Sequence, residues 1–312
     1  MAEDIGLAFQ AMACEAEVRI AGLPEREALA LAGRAADEVR RIEARWSRYR
    51  ADSLVSRINA AAGSGQAVEV DAETAGLIDF AARLHDRSGG RFDLTAGVLR
   101  RAWDFRAARR PSDAELEALR PLIGWPKVQW DGRRLLLPRT GMEIDLGGLG
   151  KEYAVDRAVT LLQAAGVRHA LVNLGGDLRV LGPRADGSPW RIAIRHPREA
   201  DRPLASVALV DAAVATSGDY ERGFVDADGV RCHHLLDARS GRPVGHWQAV
   251  SVVAPACMAA GALATLAMLM EDEAPALLAD EGVAWLAVDA AGRRQGPGLA
   301  DAAPLPSSRS QN

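Results

Sequence analysis

The sequence has few cysteines, no excess of positive charge and no long uninterrupted apolar run. Its three cysteines, Cys14, Cys232 and Cys257, show no C-x-x-C spacing, which argues against a disulfide framework and a structural zinc site and favours a reducing compartment. A net charge of −4 gives no electrostatic basis for nucleic-acid binding. The longest apolar stretch, Ala254 to Met270, is interrupted by glycine and Thr265, so we expect a buried helix and no membrane span.

The composition is typical of a soluble globular protein, with 48% hydrophobic and 26% charged residues in a chain of 312. Residues 1–20 are acidic at their start and contain no basic segment followed by an apolar one, so we expect a cytoplasmic protein. No internal repeat and no Ser/Gly-rich linker divides the chain. We therefore predict a single domain over residues 1–300 and a disordered tail over residues 301–312.

The spacing of apolar residues predicts the main elements. A three- and four-residue spacing predicts helices over Arg26–Arg45, Ala72–Ser88, Asp113–Leu119, Lys151–Ala165 and Ala256–Met270. Ser112 and Glu115 form a capping-box pattern at the start of the third of these. Alternation predicts strands over Trp190–His196, within PLASVALVDAAVATSG and over Val283–Val288, and a weaker alternation fits an edge strand over Ala16–Ala21.

The chain is organised around the stretch EIDLGGLGKEYAVD, Glu143–Asp156. Ile144–Leu146 predicts the end of a short apolar strand, and Gly147–Gly150 predicts a turn that other residue types cannot follow freely. A glycine turn before a helix presents backbone N–H groups that can hold a phosphate, although such a turn is also an ordinary connection. Glu152 after Lys151 excludes a Walker loop, and the glycine spacing differs from that of the dinucleotide fingerprint.

Seven segments, taken in order, resemble the ApbE family of FAD:protein FMN transferases along nearly the whole chain. They are WSRYRADSLVSRIN, FDLTAGVLRRAWDF, IDLGGLGKEYAVD, NLGGDLRVLG, ATSGDYERGF, HHLLDARSGRP and the helix Ala256–Met270. The resemblance implies an α+β fold with a β core flanked by helices. It also implies that FAD binds in a cleft and is split at its pyrophosphate, that FMN passes to a Ser or Thr hydroxyl of a target flavoprotein, and that AMP is released.

The resemblance also implies functional residues. Those implied to bind FAD are Met12, Tyr49, Ala96, Gly97, Asp145, Lys151 and Leu236. The Gly148 carbonyl and Thr265 match the ligands of a Mg²⁺ ion, and His234 and Lys151 match catalytic positions. Mg²⁺ would neutralise phosphate charge, and a histidine is suited to act as a base near pH 7. From the residues alone, Tyr49 is as readily a packing residue, and His234 a histidine that satisfies a turn.

Two positions depart from the family pattern. Gly261 stands where the family carries a metal-ligating Asp, four residues before Thr265 and therefore on the same helix face. Glu152 stands where the family usually has glycine, and its side chain either crowds the turn or adds a carboxylate near the phosphates. We expect Asp at position 261 to be accommodated and to restore metal binding.

The two departures leave three hypotheses for the function. The first is that the chain is an FMN transferase. The second is that it is a non-catalytic FAD-binding protein of the same fold that has lost its Mg²⁺ site. The third is that it is a scaffold that does not use flavin.

Overall fold

An antiparallel sheet of eight strands forms the centre of the computed structural model, which describes residues 4–199 and 201–299. In spatial order its strands are β1 (Ile5–Ala11), β2 (Cys14–Ile20), β6 (Ala170–Leu174), β7 (Asp177–Leu181), β10 (Ala213–Gly218), β15 (Trp247–Ala254), β16 (Ala284–Asp289) and β17 (Arg294–Gln295). Together with the helices, this sheet gives the α+β fold that was predicted. The predicted tail over 301–312 lies outside the described residues.

The other strands of the described residues form four small sheets. They are β3 (Val68–Glu69) with β4 (Gln129–Trp130) and β5 (Arg134–Leu136), β8 (Trp190–Arg195) with β9 (Pro203–Leu209), β11 (Gly223–Val225) with β12 (Arg231–His233), and β13 (Leu236–Asp237) with β14 (Arg242–Pro243).

The helices lie between these strands along the chain. They are α1 (Glu25–Trp46), α2 (Leu54–Ala60), α3 (Ala72–Arg87), α4 (Asp113–Leu119), α5 (Gly150–Ala164), α6 (Cys257–Met270) and α7 (Ala274–Asp280). Short 3₁₀ helices cover Leu94–Arg101, Arg120–Leu122, Trp125–Lys127 and Glu271–Glu273. No helix of the described residues is long and apolar enough to cross a membrane.

The central sheet separates two apolar layers because neighbouring side chains on a strand point to opposite faces. On β6, Val172 packs with the core that includes α1 and α5, whereas Leu171 packs with the β8–β9 hairpin on the other face. Strand β15 is buried along its whole length, since it lies between β10 and β16 and contacts α6. Helices α5 and α6 also contact each other. This contact brings Glu152 of α5 close to Gly261 of α6 in the candidate site.

The long helices begin and end within one or two residues of their predicted bounds, and the capping box of Ser112 and Glu115 is confirmed. The prediction for Ala16–Ala21 was wrong in one respect. The strand β2 is internal, because it pairs with β1 on one side and β6 on the other. The stretch PLASVALVDAAVATSG forms two strands that belong to different sheets, β9 and β10.

Candidate active site

The glycine-containing segment is held by side-chain and backbone bonds from distant parts of the chain. The side-chain amide of Asn59 accepts from the Ile144 N–H at 2.8 Å and donates to the Ile144 carbonyl at 3.1 Å. The Asp145 N–H donates to the Leu94 carbonyl at 2.9 Å. The predicted strand over Ile144–Leu146 was therefore wrong: the two apolar side chains are buried, but their backbone pairs with a side chain and a 3₁₀ helix.

The glycines of this segment do not adopt an unusual backbone angle, and of the three only Gly147 would bring an added Cβ into a tight contact. None of Gly147, Gly148 and Gly150 has a positive φ, so the predicted reason for these glycines was wrong. A Cβ at Gly147 would lie 3.1 Å from Asp145 Oδ1. A Cβ at Gly97 would lie only 2.9 Å from the Asp145 Cβ, so the 3₁₀ helix and the glycine segment touch at that point.

Arg48 connects three of the residues predicted to bind FAD. Its guanidinium lies 3.0 Å from Asp145 Oδ2, donates to the Gly97 carbonyl at 3.2 Å and donates to the Tyr49 hydroxyl at 3.3 Å. The guanidinium also lies over the Tyr49 ring, 5.3 Å from its centre. Tyr49 is 80% exposed, so one face of this cluster is open to a ligand. Burial opposes the charge of Arg48, but Asp145, Tyr49 and Glu143 together outweigh it and raise the pKa of the guanidinium.

Arg48 was not among the predicted site residues. Its position directly before Tyr49 was visible in the sequence, but its contacts with Gly97 and Asp145 join segments about 50 and 100 residues away.

Lys151, in the first turn of α5, pairs with Asp177 at the start of β7. The Lys151 side chain is half-buried, which opposes its charge, yet Asp177 and Glu152 raise the pKa of its ammonium above the usual value. The second carboxylate oxygen of Asp177 accepts from the Thr216 N–H at 3.1 Å, which fixes the pair. Lys151 is thus a firmly charged, oriented cation beside the glycine turn.

Met12 lies at the tip of the β1–β2 hairpin. Both residues of this turn, Met12 and Ala13, have positive φ values of 52° and 60°, which non-glycine residues seldom adopt. The Met12 N–H donates to Glu43 Oε1 at 2.7 Å, which holds the strained tip against α1. Burial raises the pKa of the neighbouring Cys14 thiol, and the charge of Lys151 opposes this increase.

The two adjacent histidines have different roles in the structure. His233 is buried, and its Nε2 contacts the Val244 carbonyl at 2.7 Å while its Nδ1 faces the Leu235 N–H at 3.3 Å, so both ring nitrogens are engaged. His234 is half-buried, and within residues 4–199 and 201–299 only its Nδ1 contacts a carbonyl, that of Arg222, at 3.4 Å. Burial lowers the pKa of His234 to about 4, so the ring is neutral at pH 7.

Leu236 and Ala96, both predicted to line the FAD site, pack against one apolar cluster around Leu99 and Trp103. Through this cluster the 3₁₀ helix and the segment after His234 form a continuous wall. The structure therefore brings together Tyr49, Gly97 and Asp145 through Arg48, and Ala96 and Leu236 through the cluster.

The carboxylate of Glu152 crosses from α5 to α6 and fills the space beside Gly261. A Cβ placed on Gly261 would lie 2.5 Å from Glu152 Cγ and 2.9 Å from its Oε1. Asp at position 261, which we expected to be accommodated, requires the Glu152 side chain to move, because Glu152 occupies that volume. Glu152 Oε2 is buried and has no hydrogen-bond partner among the described residues. Burial, and then the charge of Asp177, raise the pKa of the Glu152 carboxyl well above its usual range.

Thr265 lies one turn after Gly261 on α6, and its hydroxyl is 3.0 Å from the Ser217 hydroxyl on β10. No group of three or more His, Cys, Asp or Glu side chains in the described residues has the geometry of a metal site. The oxygen donors on this face of α6 are the Thr265 hydroxyl and, at Gly261, the unpartnered carboxylate of Glu152, and Mg²⁺ binds oxygen donors, carboxylates above all. The donor set therefore fits this ion.

The chain is similar to a known protein family and to individual members of that family. A model of the ApbE family matches residues 12–287. The FAD:protein FMN transferase of Vibrio cholerae is 36% identical over 233 residues, which cover 73% of this chain and 69% of that protein. The FAD:protein FMN transferase of Rhodobacter capsulatus is 35% identical over 293 residues, covering 90% of this chain and 54% of that protein.

Solved structures show the same likeness along the chain. The crystal structure of the ApbE protein of Thermotoga maritima has a TM-score of 0.85 and 31% identity, and the match covers 94% of this chain and 97% of that one. The flavin transferase ApbE of Vibrio cholerae has a TM-score of 0.84 and 29% identity, covering 95% and 97% of the two chains.

Proposed function

Because this chain belongs to the ApbE family, we propose that it is an FAD:protein FMN transferase. It binds FAD and joins the FMN portion to a Ser or Thr hydroxyl of a target flavoprotein. The hydroxyl oxygen forms the new bond to the FMN phosphorus, the phosphorus–oxygen bond to AMP breaks, and AMP leaves with the bonding electron pair. Among the structural observations, the convergence of Tyr49, Gly97 and Asp145 on Arg48 supports this proposal most strongly.

The pyrophosphate of FAD lies near the glycine turn in this proposal. The first turn of α5 directs backbone N–H groups and the positive end of the helix dipole toward the turn. Lys151 adds a full positive charge that Asp177 orients. The exposed ring of Tyr49 offers a stacking surface for the isoalloxazine, and the cluster that includes Ala96 and Leu236 offers an apolar wall.

His234 accepts the proton of the attacking hydroxyl. With its Nδ1–H directed to the Arg222 carbonyl, the Nε2 atom carries the lone pair. Because the ring is neutral at pH 7, it can accept a proton without first losing one. His233 cannot replace it, since both of its nitrogens are already engaged.

The Gly148 carbonyl and the Thr265 hydroxyl would hold Mg²⁺, as the resemblance implies. When bound, the ion supplies positive charge that neutralises the non-bridging phosphate oxygens of FAD. The role of the chain itself is to keep these oxygen donors in place, and the contact of Thr265 with Ser217 does so for the hydroxyl.

AMP release from FAD tests the proposal. The purified chain is incubated with FAD, with and without Mg²⁺, and with an acceptor protein that the Vibrio cholerae relative modifies; AMP is measured by chromatography. AMP formation that needs both Mg²⁺ and the acceptor supports an FMN transferase. Bound FAD that stays intact under all conditions supports the non-catalytic FAD-binding protein, and absence of FAD binding supports a scaffold that does not use flavin.

A cytoplasmic location, expected from the sequence, remains part of the proposal. Fractionation of the native cells, with the chain detected by antibody, tests it: recovery from the periplasm or the membrane fraction would contradict it.

A further inference from the structure

Glycine at position 261 lies in the interior of α6, where it is a poor helix former and needs a structural reason. The reason is steric. A Cβ at this position would lie 2.5 Å from Glu152 Cγ, 2.9 Å from its Oε1 and 3.0 Å from its Cδ. Most of the Glu152 carboxyl group is therefore pressed against the α6 backbone at Gly261.

The Glu152 carboxylate has no partner in the described part of the protein that accounts for its burial. It is 7% exposed, and its Oε2 has no hydrogen-bond partner among the described residues. The neighbouring ammonium of Lys151 pairs with Asp177. A buried carboxylate oxygen without a donor is costly, and such an oxygen in a native structure is commonly satisfied by a proton or a cation.

The carboxylate faces the part of α6 that carries Thr265. Residues four apart on a helix share a face, so the Thr265 hydroxyl lies one turn from the point that Glu152 touches. Glu152 is also the second residue after Gly150, where the glycine segment enters α5. Glu152 thus stands in the first turn of the helix that follows Gly148, and it contacts α6 at Gly261, on the face that also carries Thr265.

We propose that Glu152 supplies, from α5, the carboxylate ligand of the Mg²⁺ site that other members of the family supply from α6 at position 261. The proposal rests on the proposed function. A carboxylate removed from one helix has been replaced by one from the neighbouring helix, and the glycine at 261 makes room for it. The charge of the site is conserved, so Gly261 is not the mark of a lost metal site.

Metal binding by matched variants tests the proposal without relying on activity. Mn²⁺, which is visible by electron paramagnetic resonance, is titrated into the full chain and then displaced with Mg²⁺. Glu152→Gln keeps the shape of the side chain but removes its charge, and the double variant Glu152→Gly with Gly261→Asp moves the carboxylate to α6. Asp289→Asn is the control, since it removes the charge of another buried carboxylate, which is held by Arg293.

We expect Glu152→Gln to weaken Mn²⁺ binding about 10- to 100-fold or more, because a direct carboxylate ligand matters at least as much as an outer-shell partner. The double variant should recover most of the affinity, and Asp289→Asn should leave it unchanged. Melting curves of each variant establish that it is folded. Unchanged Mn²⁺ affinity in folded Glu152→Gln, or no recovery in the folded double variant, would overturn the proposal.

AMP release by the unmodified chain, measured in parallel, separates the two proposals. If AMP is released with Mg²⁺ but Glu152→Gln binds Mn²⁺ normally, the ligand assignment alone is wrong. If the metal results are as expected but the unmodified chain leaves FAD and the acceptor unchanged, the proposed function is wrong.

Discussion

From the contact between Glu152 and Gly261 we predict how the substitution Gly261→Ala changes the free energy of unfolding. Gly261→Ala adds a Cβ that would lie 2.5 Å from Glu152 Cγ. Overpacking of this kind costs about 1–3 kcal/mol, whereas replacing glycine by alanine inside a helix gains about 1 kcal/mol. The free energy of unfolding should therefore fall by about 0–2 kcal/mol.

A second helix glycine provides the matched control. A Cβ added at Gly76, inside α3, would meet no atom within 4 Å, so Gly76→Ala should gain about 1 kcal/mol. In a Glu152→Ala background the crowding disappears, and Gly261→Ala should then be stabilising by a similar amount. The coupling between positions 152 and 261 is thus expected to be about 1–3 kcal/mol.

Urea unfolding at pH 7 without added metal, followed by circular dichroism, measures the four members of this cycle and the control. If Gly261→Ala in the unmodified chain stabilises as much as Gly76→Ala does, Glu152 does not occupy the space beside Gly261. The steric part of the metal-site proposal would then be wrong.

Further predictions concern the flavin site. Arg48→Ala should weaken FAD binding about tenfold or more, because Tyr49 and Asp145 lose their shared partner. The control Arg50→Ala should leave FAD binding unchanged, since Arg50 pairs with Asp52 at the surface. Fluorescence titration with FAD measures both variants. Tyr49→Ala should weaken FAD binding by about 1–2 kcal/mol if the ring stacks on the flavin, and unchanged affinity would remove Tyr49 from the site. His234→Gln should lose AMP release but keep FAD affinity, and His233→Gln should instead lower the melting temperature. With Mg²⁺ kept saturating at each pH, AMP release by the unmodified chain should persist from pH 7 to about pH 5 and decline toward pH 4, as His234 becomes protonated; a decline centred near pH 6.5 would contradict the lowered pKa.

Local patterns were enough to predict most of the helices. The α1 sequence places buried alanine, valine and isoleucine at helical spacing, so its bounds follow from residues that are close in sequence. The segment Ile144–Leu146 shows the limit of this reasoning. Its side chains are as apolar as those of a strand. Its backbone at Ile144, however, is hydrogen-bonded by the side chain of Asn59, 85 residues earlier, and not by a neighbouring strand.

In the candidate site, too, some residues could be predicted from the sequence and others could be found only from contacts between distant parts of the chain. Resemblance to a family supplied residues such as Tyr49 and Asp145, because their motifs can be compared along the chain. Arg48 and Glu152 required the folded structure, since their importance comes from contacts with Asp145 and Gly261, about 100 residues away in each case. Glu152 and Gly261 were each visible as a departure from the pattern, but only their contact shows that the two departures are connected.

The most direct test of the proposed activity is the stoichiometry of transfer. The chain is incubated with FAD, Mg²⁺ and the acceptor protein, the acceptor is denatured, and covalently attached FMN is counted by mass spectrometry beside the AMP released. We expect equal amounts of AMP and protein-linked FMN, with the FMN attached to a Ser or Thr hydroxyl. FAD that remains intact on a folded chain, or AMP that forms while no flavin is attached to the acceptor, would contradict it.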